Sequence, residues 1–368
     1  MTTLINLLSW MPGYSGFGSY VQRVIPGVEG TCLQLNQVGA PVMLPSVHCQ
    51  ITTPGLASGR RMRFLQSNRL LQHGLDLDAV LLANGCDFRE FEAIYSPFFD
   101  ALLSRQQLPQ LITCHDLTPL VQPNSRKAWF RYRFWQPRHV RAATRLIAIS
   151  RYVADQLIAF GASPDRVVVI PNGITIARPR VKAPASDNLL VLARHDRNKN
   201  LPGFLRCLAG VQARLPRWRG TVLIVGRSGG RQTALIRRAI QGLPRPWQVQ
   251  LVERLSSQEL IKSLRGSLAL VSASVEEGFD YPVLEAKAEG IPTLVSDIPV
   301  HREFHSQSSL LFPPNDDGGI FAGELSQLLN DQFCWNQLSE AGVCLAQSMT
   351  VAKQQQSIRS EIISLHRS

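Results

Sequence analysis

Two glutamates, Glu277 and Glu285, stand eight positions apart in the run EGFDYPVLE, with Gly278, Phe279 and Asp280 leading into Tyr281-Pro282. Proline suits the first turn of a helix, where its missing N–H costs nothing, so the run reads as a loop feeding a helix that continues through Val283, Leu284 and Ala288. The start of a helix offers free backbone amides and the positive end of its dipole, a place for phosphate. Carboxylates beside such a place serve better as acceptors for hydroxyls, since each takes a pair of O–H bonds from neighbouring hydroxyls of a sugar or ribose. Phosphate in the middle with a sugar on either side describes a nucleotide-sugar.

The cationic half of such a cradle is expected in LLVLARHDRNKNL, residues 189–201. Arg194 stands where an apolar run stops, and Lys199 follows five residues later near a helix start. A guanidinium and an ammonium together neutralise a diphosphate without a metal ion, so neither a metal nor another cofactor is expected. In the first half, Gly13, Gly16 and Gly18 of PGYSGFGSY would let the backbone lie close to a ligand. LITCHDLTPL ends a strand in His115-Asp116. A histidine there invites the role of general base; the alternative is a strand-end histidine satisfied by its neighbours, with Asp116 a turn or capping residue.

Short apolar runs alternating with amphipathic stretches must position these residues, which predicts parallel sheets built from strand-helix units. Strands are expected at 4–8, 79–83, 110–114, 145–149 and 166–170, then at 189–193, 221–225, 248–252, 268–272 and 292–296. Open α/β sheets bind ligands at the carboxyl ends of their strands, where Arg194 and His115 fall. Residues 171–188, rich in proline and small polar side chains, read as an interdomain linker, and the spacing beyond 320 turns helical.

The ordered set GFGSY (16–20), IPNGI (170–174), ARHDRNKNL (193–201) and EGFDYPVLEAKAEGIPTLVSDIPVHREF (277–304) resembles the retaining glycosyltransferases of family 4, of the GT-B fold. It is similar in particular to mannosyl- and rhamnosyltransferases of bacterial surface polysaccharides. The resemblance implies an α/β architecture of two Rossmann-like domains facing across a cleft. Residues 1–172, joined by a returning C-terminal helix (350–368), would bind the acceptor, and 173–349 the donor. It implies that Glu285 holds the ribose, Glu277 the sugar hydroxyls, and Arg194 and Lys199 the diphosphate. The backbone of Gly278, Phe279, Asp280, Val283 and Leu284 would lie against sugar and phosphate, Gly16 and Gly18 beside the diphosphate and acceptor, and His115 over the anomeric centre. His115, Glu277, Arg194 and Lys199 form the expected catalytic set. The reaction so implied is retaining transfer of a hexose, mannose from GDP-mannose, to a lipid-linked or oligosaccharide acceptor. The departing phosphate would take the acceptor proton. One departure stands out: the family carries glycine where this chain has Asp280. The alternative is a nucleotide-sugar-binding or scaffolding protein without turnover.

Composition sets the bounds. With 368 residues, 45% hydrophobic and 18% charged, the chain supports two sizeable cores. A net charge of +12 implies an anionic partner. Seven scattered cysteines without a CxxC pair suit reduced, buried thiols. No apolar run is long enough to span a bilayer and the start does not read as a secretory signal, so a cytoplasmic protein is expected. The segment 125–145 holds seven Lys or Arg, five aromatics and no acid. It suits an anionic membrane surface on the cytoplasmic side; equally, it suits a basic helix packing its aromatics into a core. Nucleic acid is not expected as a partner, since it would leave the donor-type constellation unexplained.

Overall fold

The computed structural model describes residues 2–10, 16–34, 49–52, 77–83, 85–123, 125–176, 183–227 and 230–366. The chain divides into two compact units, the first made of Met1–Leu117, Trp129–Gly173 and Val351–Ser368, the second of Thr118–Ala128 and Ile174–Thr350. Each is an α/β unit with a parallel sheet.

The first unit has seven strands, β1 Thr3–Leu7, β2 Thr31–Gln34, β3 Cys49–Thr52, β4 Ala93–Ser96, β5 Gln110–Cys114, β6 Arg145–Ala148 and β7 Val167–Val169. They lie in the order β3-β2-β1-β4-β5-β6-β7, every pair parallel. Side chains on a strand alternate between faces, and β1 feeds two cores. Ile5 and Leu7 pack with Tyr20, Val24, Tyr95, Leu111 and Ile147. Leu4 and Leu8 pack with Leu33, Leu81, Phe91 and Ile94 on the other face. The helix Val351–Leu365 completes the first of these cores with Ile358, Ile362 and Leu365. Its Gln354 accepts from Gly173 N at 2.9 Å and donates to Asn172 Oδ1 at 3.0 Å.

The second unit has six strands, β8 Leu189–Leu192, β9 Val222–Val225, β10 Val249–Val252, β11 Ala269–Ser272, β12 Thr293–Ser296 and β13 Leu310–Phe312, in the parallel order β10-β9-β8-β11-β12-β13. The winding reverses between β8 and β11, which leaves a crevice at the carboxyl ends of those two strands. Leu189 and Val191 face one core, Leu190 the other.

All but one of the strands expected from sequence are strands. The exception is 79–83, which lies in the helix Leu77–Ala83 with Leu82 exposed. A short Ala- and Leu-rich apolar run has the same pattern in either state, and its residues are strong helix formers. β2, β3, β4 and β13 have three or four residues each and little apolar pattern, and sequence reasoning passed over them. Gly16 and Gly18, expected in a loop, form the first turn of the helix Gly16–Val24. Gly13 and residues 177–182 of the expected linker lie outside the described residues.

Candidate active site

Two chain segments meet where the winding of the second sheet reverses. After β8 the chain passes Arg194, makes a 3-10 turn at Arg197–Lys199, and enters the helix Leu201–Arg214 through Asn200 in the left-handed region, φ 50°. After β11 it passes Ser274 to Asp280 and enters the helix Tyr281–Ala288, with Pro282 in the first turn as its sequence demands. Asn198 ties the two segments. Its carbonyl accepts from Val275 N at 2.8 Å, while its Nδ2 donates to the Glu276 carbonyl at 3.1 Å and Glu277 Oε1 at 3.3 Å.

Lys199 Nζ lies 2.7 Å from Glu277 Oε1 and 3.5 Å from Asp280 Oδ1, all three side chains being largely or fully buried. Burial works against the Lys199 charge, yet Asp280 and Glu277 outweigh it and hold the ammonium above its ordinary range. For Asp280 burial pushes the other way, and Lys199, His301 and a hydrogen bond from Ser272 hold its carboxyl below the carboxylate range. Glu277 is the weaker acid of the two: burial, joined by the charge of Asp280, raises it against the pull of Lys199.

Asp280 takes φ 75°, ψ 71° and makes no side-chain cap to the helix it precedes. A left-handed residue favours glycine, though Asp tolerates it better than most. Here the Asp280 side chain turns inward, 1% exposed, to Ser272 Oγ, to Lys199 and to His301 Nε2 at 3.2 Å. Phe279 beside it is buried edge-on between Tyr281 and Phe304. Val283 and Leu284 are fully buried, and Glu285 is half-buried in the second turn of the helix. Lys287, two residues on, is buried with its Nζ on the Ser308 carbonyl at 2.6 Å and on Ser308 Oγ. Burial lowers its pKa to about 7.

Lys199, Glu277 and Asp280 are thus brought into direct contact. Arg194 is not: its side chain is 59% exposed and paired with Asp196 at 3.1 Å, an exposed pair of little energetic worth, although its charge is felt at Lys199. Its neighbour His195 is buried, with Nδ1 on Thr233 Oγ1 at 2.8 Å and Nε2 without a hydrogen-bond partner. That ring lines a cavity of about 270 Å³ with Thr233, Arg237, Leu251 and Glu253. His115 belongs to the first unit. It follows β5, is 7% exposed, meets Tyr20 edge-on and lies with Nε2 2.8 Å from the Pro97 carbonyl, so its Nε2 hydrogen is already committed.

Sequence reasoning missed Asn198 and Ser272; it set His301 of PVHREF to support the loop near Glu277 but did not name Asp280 as its partner. Asn198 sits in the charged run DRNKN and reads as solvated; its signal is that an amide flanked by two cations precedes a left-handed residue. The chain carries an Asp-x-Asp triplet, Asp76-Leu77-Asp78, of which Asp76 lies outside the described residues and Asp78 pairs with Arg105 at 2.5 Å. Among the described residues no three His, Cys, Asp or Glu side chains are grouped to hold a metal.

Comparison with known proteins agrees with this geometry. The family described as Glycosyltransferase Family 4 matches residues 47–178, and Glycosyl transferases group 1 matches 186–331. The O-antigen chain mannosyltransferase RfbU of Salmonella typhimurium is 24% identical over 212 residues, 56% of this chain and 58% of the relative. The GDP-mannose:cellobiosyl-diphosphopolyprenol alpha-mannosyltransferase of Xanthomonas campestris is 33% identical over 161 residues, 43% of this chain and 41% of the relative. The chain thus spans about half the length of these curated relatives. Among solved structures, sucrose-phosphate synthase from Thermosynechococcus elongatus superposes with TM-score 0.74 at 18% identity, covering 99% of both chains. Anabaena Alr3699/HepE, in complex with UDP and glucose, does so with TM-score 0.72 at 14% identity, again covering 99% of both. With a glycosyltransferase family matched on each half and a parallel α/β sheet in each unit, as in solved GT-B structures, this chain belongs to the family 4 glycosyltransferases.

Proposed function

We propose that the second unit binds a nucleotide-sugar and that the chain transfers its hexose, mannose from GDP-mannose, with retention to a lipid-linked or oligosaccharide acceptor in the assembly of a surface polysaccharide. The observation that carries this reading is the contact of Lys199 with Glu277 at the start of the helix Tyr281–Ala288, where the sheet reverses its winding. Diphosphate on the helix amides meets Lys199 and the exposed Arg194, released from Asp196, which neutralise the charge that grows on the leaving group. Glu277 accepts from the sugar hydroxyls and Glu285 from the ribose. The cavity beside His195, with an apolar wall and an unsatisfied ring nitrogen, takes the base. Gly16, Gly18 and His115 of the first unit serve the acceptor side.

The names of the relatives support mannose, and UDP in the solved neighbour supports a nucleotide diphosphate donor. The cationic pair takes the place of a metal ion. No helix among the described residues is long and apolar enough to cross a membrane. Phe130 and Phe134 are 55% and 56% exposed and stacked 5.7 Å apart, with Arg131 and Arg133 between them, which supports peripheral contact with an anionic membrane. The test is transfer of label from GDP-mannose to a polyprenyl-diphosphate-linked acceptor, with and without EDTA. Chelator-insensitive transfer is expected; donor binding with no transfer to any acceptor would leave a binding protein instead.

A further inference from the structure

The hydrogen bonds around His301 fix where its protons are. His301 Nδ1 lies 2.7 Å from the Ser296 carbonyl, which can only accept, and Ser296 Oγ gives its own hydrogen to the Ser274 carbonyl. Nδ1 therefore carries a hydrogen. The other ring nitrogen, Nε2, then faces Asp280 Oδ2 at 3.2 Å, an oxygen that already accepts from Ser272. A bare Nε2 against an ionised carboxylate would set lone pair against lone pair. A second proton must lie in this contact, either as imidazolium with carboxylate or as imidazole with carboxylic acid. His301 is 0% exposed and Asp280 1%, so the proton is sealed from solvent.

That proton decides the charge of the donor cradle. With it, Lys199, Glu277 and the Asp280–His301 pair sum to zero; without it they sum to −1, in a space where a diphosphate is to lie. Losing it also strengthens the pull of Asp280 on Lys199, which it already approaches to 3.5 Å. We propose that Asp280 and His301 form a proton-holding pair that positions Lys199 for the donor diphosphate, and that the donor binds tightly only while the pair keeps its proton. This rests on the reading of the second unit as the donor site. It gives the family-divergent Asp280 a role as a positioning residue, exerted through Lys199 and not by touching the sugar.

Other charges face the pair. Glu277 comes from the segment after β11, Asp297 from the segment after β12, His305 from the helix Pro299–His305 with its ring 5.9 Å from that of His301, and Lys287 stands behind His305 from the helix Tyr281–Ala288. All of them remain when the pair is altered, so changes at Asp280 and His301 isolate its contribution. In Asp280→Asn the amide donates to a neutral Nε2, no proton is needed, and the cradle stays neutral. In His301→Gln the carboxylate remains with no proton to gain, and the cradle stays negative.

The experiment is the dissociation constant of GDP-mannose, with UDP-glucose as a second probe, for the full chain and both variants from about pH 5.5 to about 8.5. The pyrophosphate diester has no proton to lose in that window. The wild-type constant should be smallest at the acid end and grow toward the alkaline end as the pair gives up its proton. Asp280→Asn should bind tightly at every pH, and His301→Gln weakly at every pH, each melting as a folded protein. A wild-type constant independent of pH, or variants that keep the wild-type slope, would overturn the pair while leaving the donor site standing. Absence of binding by either nucleotide-sugar at any pH would remove the donor site and this inference together.

Discussion

Lys199 Nζ sits 2.7 Å from Glu277 Oε1, although sequence reasoning assigned the two to different parts of the donor. The ammonium meant for phosphate and the carboxylate meant for hydroxyls hold each other in place, so each is preorganised by the other. Removing Glu277 leaves Lys199 with Asp280; removing Lys199 leaves two buried acids facing one another. Glu277→Gln should keep the fold and lower transfer by about 10² to 10³-fold. Lys199→Met should also destabilise the chain by about 3–5 kcal/mol. Chemical denaturation alongside a transfer assay separates the two. Equal stability of the variants would show that the contact is not a buried ion pair in solution.

Lys287 lies in the helix Tyr281–Ala288 with its Nζ held by the Ser308 carbonyl and hydroxyl, and among the described residues no carboxylate pairs with it. Its pKa falls from 10.5 in the open chain to about 7 in the folded one. The folded state therefore binds the proton less readily. The penalty is complete below pH 7 and fades as pH rises from 7 toward 10.5. Unfolding free energy should climb with a slope of up to about 1.4 kcal/mol per pH unit over that window. Lys287→Met, which keeps the methylenes packed on Gly342, should be more stable near neutrality and lose this slope. Melts of both proteins across the window decide it, and parallel curves would refute a buried, uncompensated lysine.

Gly226 closes β9 beside the end of β8. A Cβ there would meet the Ala193 carbonyl oxygen at 1.8 Å and the Arg194 nitrogen at 3.1 Å. Backbone atoms cannot swing aside as a side-chain tip can. Gly226→Ala should cost about 1–3 kcal/mol and weaken donor binding by displacing Arg194. Thermal melting and GDP-mannose titration test both parts; an unshifted melt would mean the strand ends are further apart than described.

The aromatic trio Trp129, Phe130 and Phe134 gives a surface test. Phe130 stacks on Phe134, and Trp129 meets each edge-on at 5.2 and 6.0 Å. Replacing Phe130 and Phe134 together by Ser should leave stability within about 0.5 kcal/mol, since both are exposed. It should also abolish pelleting with anionic vesicles at low salt. Undiminished pelleting would assign the membrane contact elsewhere.

What the sequence disclosed depended on whether a signal was local. Pro282 announces a helix start by its own covalent ring, and β8 and β11 announce themselves by unbroken apolar runs, so the crevice between them could be anticipated. PVHREF marks His301 as a support for the loop near Glu277, but its contact with Asp280 spans 21 residues and two loops, and neither neighbourhood names the partner. The direction of the Asp280 side chain was hidden for a similar reason. A left-handed backbone sends the carboxyl inward, and φ is set by the turn as a whole. β13, three residues long, takes its strand form from pairing with β12, a tertiary effect that no window of its own sequence carries.

The helix Val351–Leu365 has a consequence for how the chain comes off the ribosome. Ile358, Ile362 and Leu365 fill the same core as Ile5 and Leu7, so the faces of Ile5 and Leu7 wait for residues translated long after them before they are covered. The second unit, complete at Thr350, has all its strands beforehand. Nascent chains would then mature out of order, the later-encoded half first, and in the interval the N-terminal sheet is the surface a chaperone would have to shield.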